Sequence, residues 1–272
     1  MGLRLLVTGG AGFIGSNLVD ALLSAGHSVV VVDNFSTGFH ENLNPNAELV
    51  TADICELDWY RFFESHPTDT IYHLAAQMDV RKSVADPLFD FSVNMTAGVK
   101  LVNAAASSGV KRFIFSSSGG AGYGSVDPAI IPVPESFAPV PESPYGAAKM
   151  AFDLFLSATA ATKPITFVSC RLGNVYGPRQ NPWGEAGVVA IFTEQMESGR
   201  QPIIFGDGNM TRDYVYVGDV VRALTNALTL GDNRWLNIGT GIEVTVDEVF
   251  SSVKIAACIV LGIIVTTNSY SK

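Results

Sequence analysis

The stretch TGGAGFIGS, residues 8–16, decides how the rest of the chain is interpreted. It follows the apolar run LRLLV, and Gly9, Gly12 and Gly15 stand three residues apart at the head of the periodic segment FIGSNLVDALLSAG. Glycine permits the tight turn and the close backbone approach needed where a strand feeds directly into a helix. The stretch therefore predicts a β-strand, a glycine-rich turn and an α-helix at the start of an α/β fold.

The same turn predicts a dinucleotide site. Backbone amides of such a turn and the positive end of the following helix bind a pyrophosphate. Asp33 ends the next apolar run, HSVVVVD, eighteen residues after Gly15. A carboxylate there accepts hydrogen bonds from ribose hydroxyls and repels a 2′-phosphate, which favours NAD over NADP. A purely structural turn is the alternative, but the strand–turn–helix context favours NAD.

Further apolar runs alternate with helical segments along the first two thirds of the chain: ELVTADI, TIYHLAA, KRFIFSSS and ITFVSCRL. This alternation predicts an α/β fold with a doubly wound, parallel Rossmann-type sheet. Later pieces, including the expected strands PIIFG and DYVYV, predict a smaller C-terminal substrate lobe. We expect an NAD-binding domain over residues 1–171 and a substrate lobe over 172–272, interleaved with the first.

Composition excludes several classes of protein. The chain has 272 residues, 47% of them hydrophobic, and a net charge of −9, which allows a large core and argues against a nucleic-acid partner. Three scattered cysteines and the absence of an N-terminal signal-peptide pattern predict a cytoplasmic protein. The apolar run 255–265 is shorter than the roughly 20 residues of a membrane span. No cluster has metal-ligand spacing, and His73 has the character of a core histidine.

The segment SPYGAAK places Tyr145 four residues before Lys149. Pro144 suits a first helical turn and Ser143 suits its cap, so both side chains are expected on one face at a helix start. The pair is either a base with its helper cation or two ordinary surface residues.

These segments together resemble the extended short-chain dehydrogenase/reductase family. TGGAGFIGS, VVDNFSTG, TADI, HLAAQ, FIFSSSGG and SPYGAAK match the landmarks of that family in order. GNVYGPRQ and FGDGNMTRDYVYVGDVVRA are similar to its nucleotide-sugar branch, and most similar to the UDP-glucose (UDP-galactose) 4-epimerases. The resemblance runs to about Phe250 and implies an NAD-dependent isomerase of galactose metabolism.

The resemblance implies that Tyr145 is the catalytic base and Lys149 its cation. A phenol with a pKa of about 10 needs about 4 kcal/mol to act near pH 7, and one cation about 6 Å away supplies about 2.8 kcal/mol at an effective dielectric of about 20. Lys149 therefore needs the positive nicotinamide ring of NAD⁺ beside it. Ser118 matches the hydroxyl that binds the sugar 4-oxygen. Ser117 is the alternative, because SSSGGAGYG is one residue longer than the commoner form.

The resemblance also assigns residues to cofactor and substrate. The substrate contacts are Ser118, Tyr145, Asn174 and Arg212. For Asp53, a helix cap before CELDWYRFFESH is an alternative role. The cofactor residues are Gly9, Gly12, Phe13, Ile14, Gly15, Asp33, Asn34, Ser36, Thr37, Gly38, Asp53, Ile54, Leu74, Ala75, Ala76, Gln77, Asn94, Ser116, Tyr145 and Lys149. Relatives form homodimers, so a homodimer is expected by resemblance.

The residues after the serines bear on the reaction. Dehydratases and decarboxylases of the family place acids there, whereas residues 119–122 read Gly-Gly-Ala-Gly. A site with a base and a hydride acceptor alone can oxidise C4 and reduce it again, which predicts epimerisation at C4 of a UDP-hexose. The alternatives are a UDP-glucuronate 4-epimerase, another nucleotide-sugar oxidoreductase, or a weakly active binding protein.

The resemblance stops at SSVKIAACIVLGIIVTTNSYSK, residues 251–272. Relatives continue here with a second arginine that binds the diphosphate of the nucleotide sugar. One lost charge-assisted contact costs about 1.5–3 kcal/mol. We therefore expect this short, divergent C-terminus to weaken UDP-sugar binding and turnover while NAD binding is kept.

Overall fold

A seven-stranded parallel sheet forms the centre of the computed structural model, which describes residues 2–183 and 187–260. The strands are β1 (Arg4–Thr8), β2 (Ser28–Asp33), β3 (Glu48–Thr51), β4 (Thr70–His73), β5 (Arg112–Ser118), β6 (Thr166–Leu172), β7 (Asn174–Tyr176), β8 (Thr211–Arg212), β9 (Tyr214–Tyr216), β10 (Arg234–Ile238) and β11 (Val244–Thr245). The order in the main sheet is β10-β6-β5-β4-β1-β2-β3, with every neighbouring pair parallel. The predicted fold class is confirmed.

Helices cover both faces of this sheet. They are α1 (Phe13–Ser24), α2 (Trp59–Ser65), α3 (Val80–Ala85), α4 (Pro87–Phe91), α5 (Ala97–Ser107), α6 (Gly119–Gly122), α7 (Pro144–Thr162), α8 (Val188–Glu197), α9 (Val217–Asn226) and α10 (Val246–Val260). Two apolar layers result, because successive side chains of a strand point to opposite faces. In β1, Leu6 packs into one layer while Leu5 and Val7 pack into the other.

The glycine-rich turn connects β1 to α1 as predicted. Gly9 has a φ of +74° and donates its amide to the carbonyl of Val32 at 2.9 Å. A Cβ at Gly15 would lie 2.0 Å from the carbonyl oxygen of Gly9. The backbone of α1 therefore approaches the turn so closely that only glycine fits at this position.

The helix α7 begins where the sequence indicated. Pro144 is its first residue, and the Ser143 hydroxyl accepts a hydrogen bond from the amide of Gly146 at 3.1 Å. Proline at a first helical position and serine as a cap both match the backbone groups left free at a helix start.

Two local predictions were wrong, and one local feature was not predicted. The segment PIIFG forms no strand. The N-cap of α2 is Asp58, which accepts from the amides of Tyr60 and Arg61, so Asp53 does not cap that helix. The long crossover segment after residue 86 contains a π-helical turn, Ser92–Thr96, between α4 and α5.

The later half of the chain contributes to both sheet systems. β10 is an edge strand of the main sheet, whereas β7 pairs with β9 and β8 pairs with β11 in two small sheets. Within the described residues, no helix is long and apolar enough to cross a bilayer. The expectations for the end of the chain fall largely on residues 261–272, which lie outside the described residues.

His73, at the end of β4, is a core residue as predicted. It is 1% exposed, and its ring lies about 6 Å from the rings of Phe113, Phe115 and Phe152. Its Nδ1 is hydrogen-bonded to the Thr8 hydroxyl at 2.8 Å. Burial, and secondly the charge of Lys149, lower the pKa of His73 to about 3.

This lowered pKa predicts acid sensitivity. The unfolded chain protonates this histidine near pH 6.5 while the native state does not, so stability is complete above pH 6.5 and falls as the pH drops towards 3. His73 should remove about 2 kcal/mol of the free energy of unfolding between pH 7 and pH 5. Denaturant titrations at both pH values should show this loss in the wild type and a smaller one in His73→Gln.

The matched control is His40→Gln, because His40 is exposed. Its pH dependence should equal that of the wild type. Equal pH dependence of His73→Gln and the wild type would contradict a neutral, buried His73.

Candidate active site

The carboxyl ends of the central parallel strands surround a cavity of about 610 Å³. Most of the residues predicted to bind cofactor line it. They are Gly9, Gly12, Phe13, Ile14, Gly15, Asp33, Asn34, Ser36, Thr37, Asp53, Ile54, Leu74, Ala75, Ala76, Gln77, Ser116, Tyr145 and Lys149. Residues up to 140 positions apart in sequence therefore meet at one edge of the sheet.

Asp33 is fixed at the cavity by the turn it faces. One carboxylate oxygen accepts the amide of Ala11 at 2.9 Å, and the other accepts the amide of Phe35 at 2.8 Å. The side chain is 7% exposed. A carboxylate can accept about four hydrogen bonds, so capacity remains for two ribose hydroxyls.

Asp53 presents a second carboxylate to the same cavity. It accepts the amide of Cys55 at 2.8 Å and the side-chain amide of Asn34 at 3.0 Å. Chiefly the bond from Cys55, with a further contribution from Asn34, lowers the pKa of Asp53. The predicted pair Asn34 and Asp53 thus forms one hydrogen-bonded unit.

Two predicted cofactor residues, Gly38 and Asn94, do not line the cavity. Gly38 packs against the backbone of Ala11, where a Cβ would come within 2.9 Å. Asn94 is buried and clamps Gln77: its side chain accepts the Gln77 amide at 3.1 Å and donates to the Gln77 carbonyl at 2.8 Å. Both residues support other residues of the cavity wall without facing the cavity themselves.

Tyr145 and Lys149 lie together in the lining of the cavity. The Lys149 ammonium is 5.8 Å from the centroid of the Tyr145 ring and 4.7 Å from that of Phe115. It donates a hydrogen bond to the carbonyl of Ser116 at 3.1 Å and is 2% exposed. The surface-pair interpretation is therefore wrong for Lys149.

Burial shifts both side chains towards their neutral forms. It raises the pKa of Tyr145 to about 12, with a hydrogen bond from Ser118 opposing the shift and the charge of Asp90 adding to it. It lowers the pKa of Lys149 to about 8, with Asp153 and Asp90 opposing. The phenol is therefore protonated at neutral pH unless further positive charge is placed beside it, as the sequence-based estimate required.

The three serines at the end of β5 occupy different positions. Ser118 is the hydrogen-bonding partner of the Tyr145 phenol, and it also caps α6 by accepting the Ala121 amide at 3.2 Å. Ser117 is 3% exposed, and its buried hydroxyl has no hydrogen-bond partner among the described residues. Of the two predicted candidates, Ser118 is therefore the one beside Tyr145.

A second cavity, of about 500 Å³, adjoins the first at Gly173. The predicted substrate residues Asn174 and Arg212 both line it, together with Gly119 and Gly120. Arg212 is exposed and bonds the carbonyl of Thr211 at 2.7 Å, which leaves most of its donors available. Arg212 and Asn174 therefore offer a cationic and an amide donor in the cavity next to the one that Tyr145 lines.

Sequence reasoning missed a buried polar network behind the site. Arg171 of β6 bonds the carboxylate of Asp153 at 2.9 Å and the hydroxyl of Tyr123 at 3.0 Å. Tyr123 in turn donates to the side chain of Asn237 at 2.7 Å. The available signal was Asp153 itself, an acid two helical turns after Tyr145 on the same face.

Comparisons with known proteins agree with this geometry. Residues 5–239 match the model of the NAD dependent epimerase/dehydratase family. The UDP-glucose 4-epimerase of Mycolicibacterium smegmatis is 44% identical over 257 residues, covering 92% of this chain and 82% of the relative. The family resemblance and the predicted class of enzyme are confirmed.

Two solved structures have the same fold. The UDP-glucose 4-epimerase of Thermotoga maritima with UDP-glucose has a TM-score of 0.91 and 47% identity, covering 94% of this chain and 82% of that one. The enzyme of Thermus thermophilus in complex with NAD has a TM-score of 0.89 and 43% identity, covering 94% and 83%. This chain is therefore a member of the NAD dependent epimerase/dehydratase family.

Proposed function

We propose that this chain is an NAD-dependent UDP-hexose 4-epimerase that interconverts UDP-glucose and UDP-galactose. The observation that carries the proposal is the junction of the two cavities. Tyr145, Lys149 and Ser118 line the first cavity, and Arg212 lines the second. A sugar at the junction would reach the phenol while its diphosphate reached the arginine.

The first cavity fits a dinucleotide. The Gly9–Gly15 contact brings the start of α1 against the turn, which favours a pyrophosphate at the helix N-terminus. Asp33 and Asp53 are carboxylates suited to ribose and adenine, and Asp33 disfavours a 2′-phosphate. NAD bound there supplies a hydride acceptor and a positively charged ring.

Tyr145 acts as the base in the proposed reaction. Its phenolate accepts the proton of the sugar 4-hydroxyl while C4 loses hydride, which gives a 4-keto sugar. Ser118 holds the 4-oxygen through a hydrogen bond, and Lys149 stabilises the phenolate by its charge. Return of hydride to the opposite face of C4, with return of the proton from Tyr145 to the 4-oxygen, gives the epimer.

The glycines after Ser118 favour epimerisation over elimination. A Cβ at Gly120 would lie 3.7 Å from the side chain of Asn174, an ordinary contact, so the site has space for a larger residue there. Elimination of water from neighbouring carbons needs an acid and a base near C5 and C6, and residues 119–122 carry none. The same glycines leave space for the keto sugar to turn over.

The substrate lobe is proposed to comprise residues 172–272, and the NAD-binding domain residues 1–171. Asn174 and Arg212 support this division, because both lie in the later segment and line the second cavity. We also propose a cytoplasmic location, on the evidence of free thiols at Cys55 and Cys170.

We further propose a homodimer formed through α3, α4 and α7. These helices pack against one another and carry large exposed apolar side chains: Val84 is 63% exposed, Leu88 82%, Phe91 49% and Leu154 66%. Large exposed apolar side chains on adjacent helices are typical of an interface between subunits.

Tyr145→Phe tests the base. The variant keeps the ring and loses the hydroxyl, so turnover should fall by at least about 10³-fold while NAD affinity stays within about twofold. Chromatography would measure the conversion of UDP-galactose to UDP-glucose, and calorimetry would measure NAD binding. A Tyr145→Phe protein as active as the wild type would remove Tyr145 from its role.

Formation of a 4-keto-6-deoxy sugar by the wild type would overturn the assignment of the reaction.

Leu88→Glu tests the dimer. A buried, unpaired carboxylate on each subunit is costly, so sedimentation should show a monomer for this variant and a dimer for the wild type. Leu230→Glu is the control, since Leu230 is 63% exposed and follows α9, outside the proposed interface. Identical sedimentation of Leu88→Glu and the wild type would refute this interface.

A further inference from the structure

A line of buried charged groups extends from Tyr145 into the interior. Lys149 and Asp153 follow Tyr145 at intervals of four residues on α7, so the three share one face of the helix. Asp153 is 0% exposed, and Arg171 across from it on β6 is 4% exposed. Fully buried charged residues are rare unless they are paired, so this arrangement calls for an explanation.

The surroundings of Lys149 are unfavourable for an ammonium group. The side chain is 2% exposed, lies over the ring of Phe115, and donates to the carbonyl of Ser116. Burial of this kind favours the neutral amine. If Lys149 were neutral, it would give no electrostatic support to a Tyr145 phenolate.

Asp153 supplies the missing negative charge and is itself held rigidly. Its carboxylate accepts hydrogen bonds from Arg171 Nε at 2.9 Å and from the hydroxyl of Ser169. Burial raises the pKa of Asp153, but the bonds from Ser169 and Arg171 oppose that rise and favour the anion. The guanidinium of Arg171 also lies 5.3 Å from the ring of Tyr123 and 5.4 Å from that of Trp235, which fixes its position.

We propose that Asp153 is a positioning residue for the proposed reaction: held by Arg171 and Ser169, its buried carboxylate keeps the side chain of Lys149 charged beside Tyr145. The base thus depends on a carboxylate that does not contact the substrate. Arg171 lines the second cavity while bonding Asp153, so one ion pair joins that cavity to the catalytic helix. The kinetic part of this inference rests on the proposed function, whereas the charge of Lys149 does not.

Other charged groups around Lys149 have defined roles. From β4, His73 is neutral in the physiological range. From α4, Asp90 adds negative charge, and it also accepts bonds from Gln77 and Asn94 at 2.8 and 2.9 Å. Asp90 opposes ionisation of Tyr145 as well, so its two effects on the pair compete. Asp153 is the larger contributor to keeping Lys149 charged.

The cationic side chains of the neighbouring elements α3, α5 and β5 are exposed or interact with other groups. On α3, Arg81 is 77% exposed at its side chain and Lys82 lies over the ring of Phe89. On α5, Lys100 bonds the carbonyl of Cys55. At the far end of β5, Arg112 pairs with Asp232.

Asp153→Asn isolates the charge, because asparagine has the same size and still offers an oxygen to Arg171. We would label the lysine side chains with ¹³C and titrate the Cε resonance of Lys149 by NMR, assigned by its loss in Lys149→Gln. Asp153→Asn should lower the pKa of Lys149 by about one unit or more, a tenfold change in its dissociation constant. In turnover assays the alkaline limb of the pH profile should move to lower pH by the same amount, with activity recovered near pH 6.5.

Asp69→Asn is the matched control, because Asp69 also pairs with an arginine, Arg4. Asp69 lies just before the first residue of β4, at the end of the strand away from the first cavity. The Asp69→Asn variant should leave the Lys149 titration unchanged. If Asp153→Asn fails to fold, the double variant Asp153→Asn with Arg171→Gln also removes the arginine that had lost its carboxylate partner. Its Lys149 pKa should also fall, because Asp153 acts on Lys149 directly whereas Arg171 acts on Asp153.

An unchanged Lys149 titration in the folded Asp153 variant would overturn the inference. A shifted titration in a protein without epimerase activity would support the role of Asp153 in holding the charge and would count against the proposed function alone. A uniform loss of turnover at every pH, with no shift of the profile, would show that Asp153 acts only on the fold.

Discussion

The burial of the Lys149 ammonium is the constraint on which the site depends. Its position between β5 and α7 makes the charge effective, because a cation acts more strongly where water is excluded. The same burial weakens the charge, lowering the pKa of Lys149 to about 8. In the proposed mechanism, the negative charge of Asp153 on the inner side and the positive charge of NAD⁺ on the cofactor side then determine whether Lys149 stays charged and whether Tyr145 ionises. The polar network behind α7 thus belongs to the proposed catalytic arrangement as well as to the core.

The sequence predicted those parts of the molecule that local chemistry specifies. The glycine-rich turn and Asp33 follow from short-range rules, since both depend on residues close to a strand end. The Tyr145–Lys149 spacing predicted a shared helical face, and the serine–proline pair predicted where that helix begins. The parallel sheet followed from the alternation of elements, and it brings these separate segments to one edge.

The remaining features depend on contacts that the residue pattern of a single element does not specify. The segment PIIFG is apolar, yet Ile203 is 68% and Phe205 89% exposed, and none of the described strands pairs with it. Asp53 and Asp58 both precede a helix, and only the turn at residues 53–56 decides that Asp58 is the cap. The pairing of Asp153 with Arg171 joins the helix α7 to β6, the next strand along the chain. Spacing within one element cannot predict such a contact.

We infer that the charge around Tyr145 changes from unfavourable to favourable for the phenolate when the oxidised cofactor is bound. A direct test is ultraviolet difference titration of the phenolate, taken as wild type minus Tyr145→Phe, in the free protein, with NAD⁺ and with NADH. The free protein should show no phenolate at position 145 through about pH 10, because burial raises the pKa of Tyr145 to about 12. With NAD⁺ the transition should move to about pH 7, and with NADH, whose ring is neutral, it should stay well above that value. The same transition in all three states would show that the bound cofactor does not shift the pKa of Tyr145.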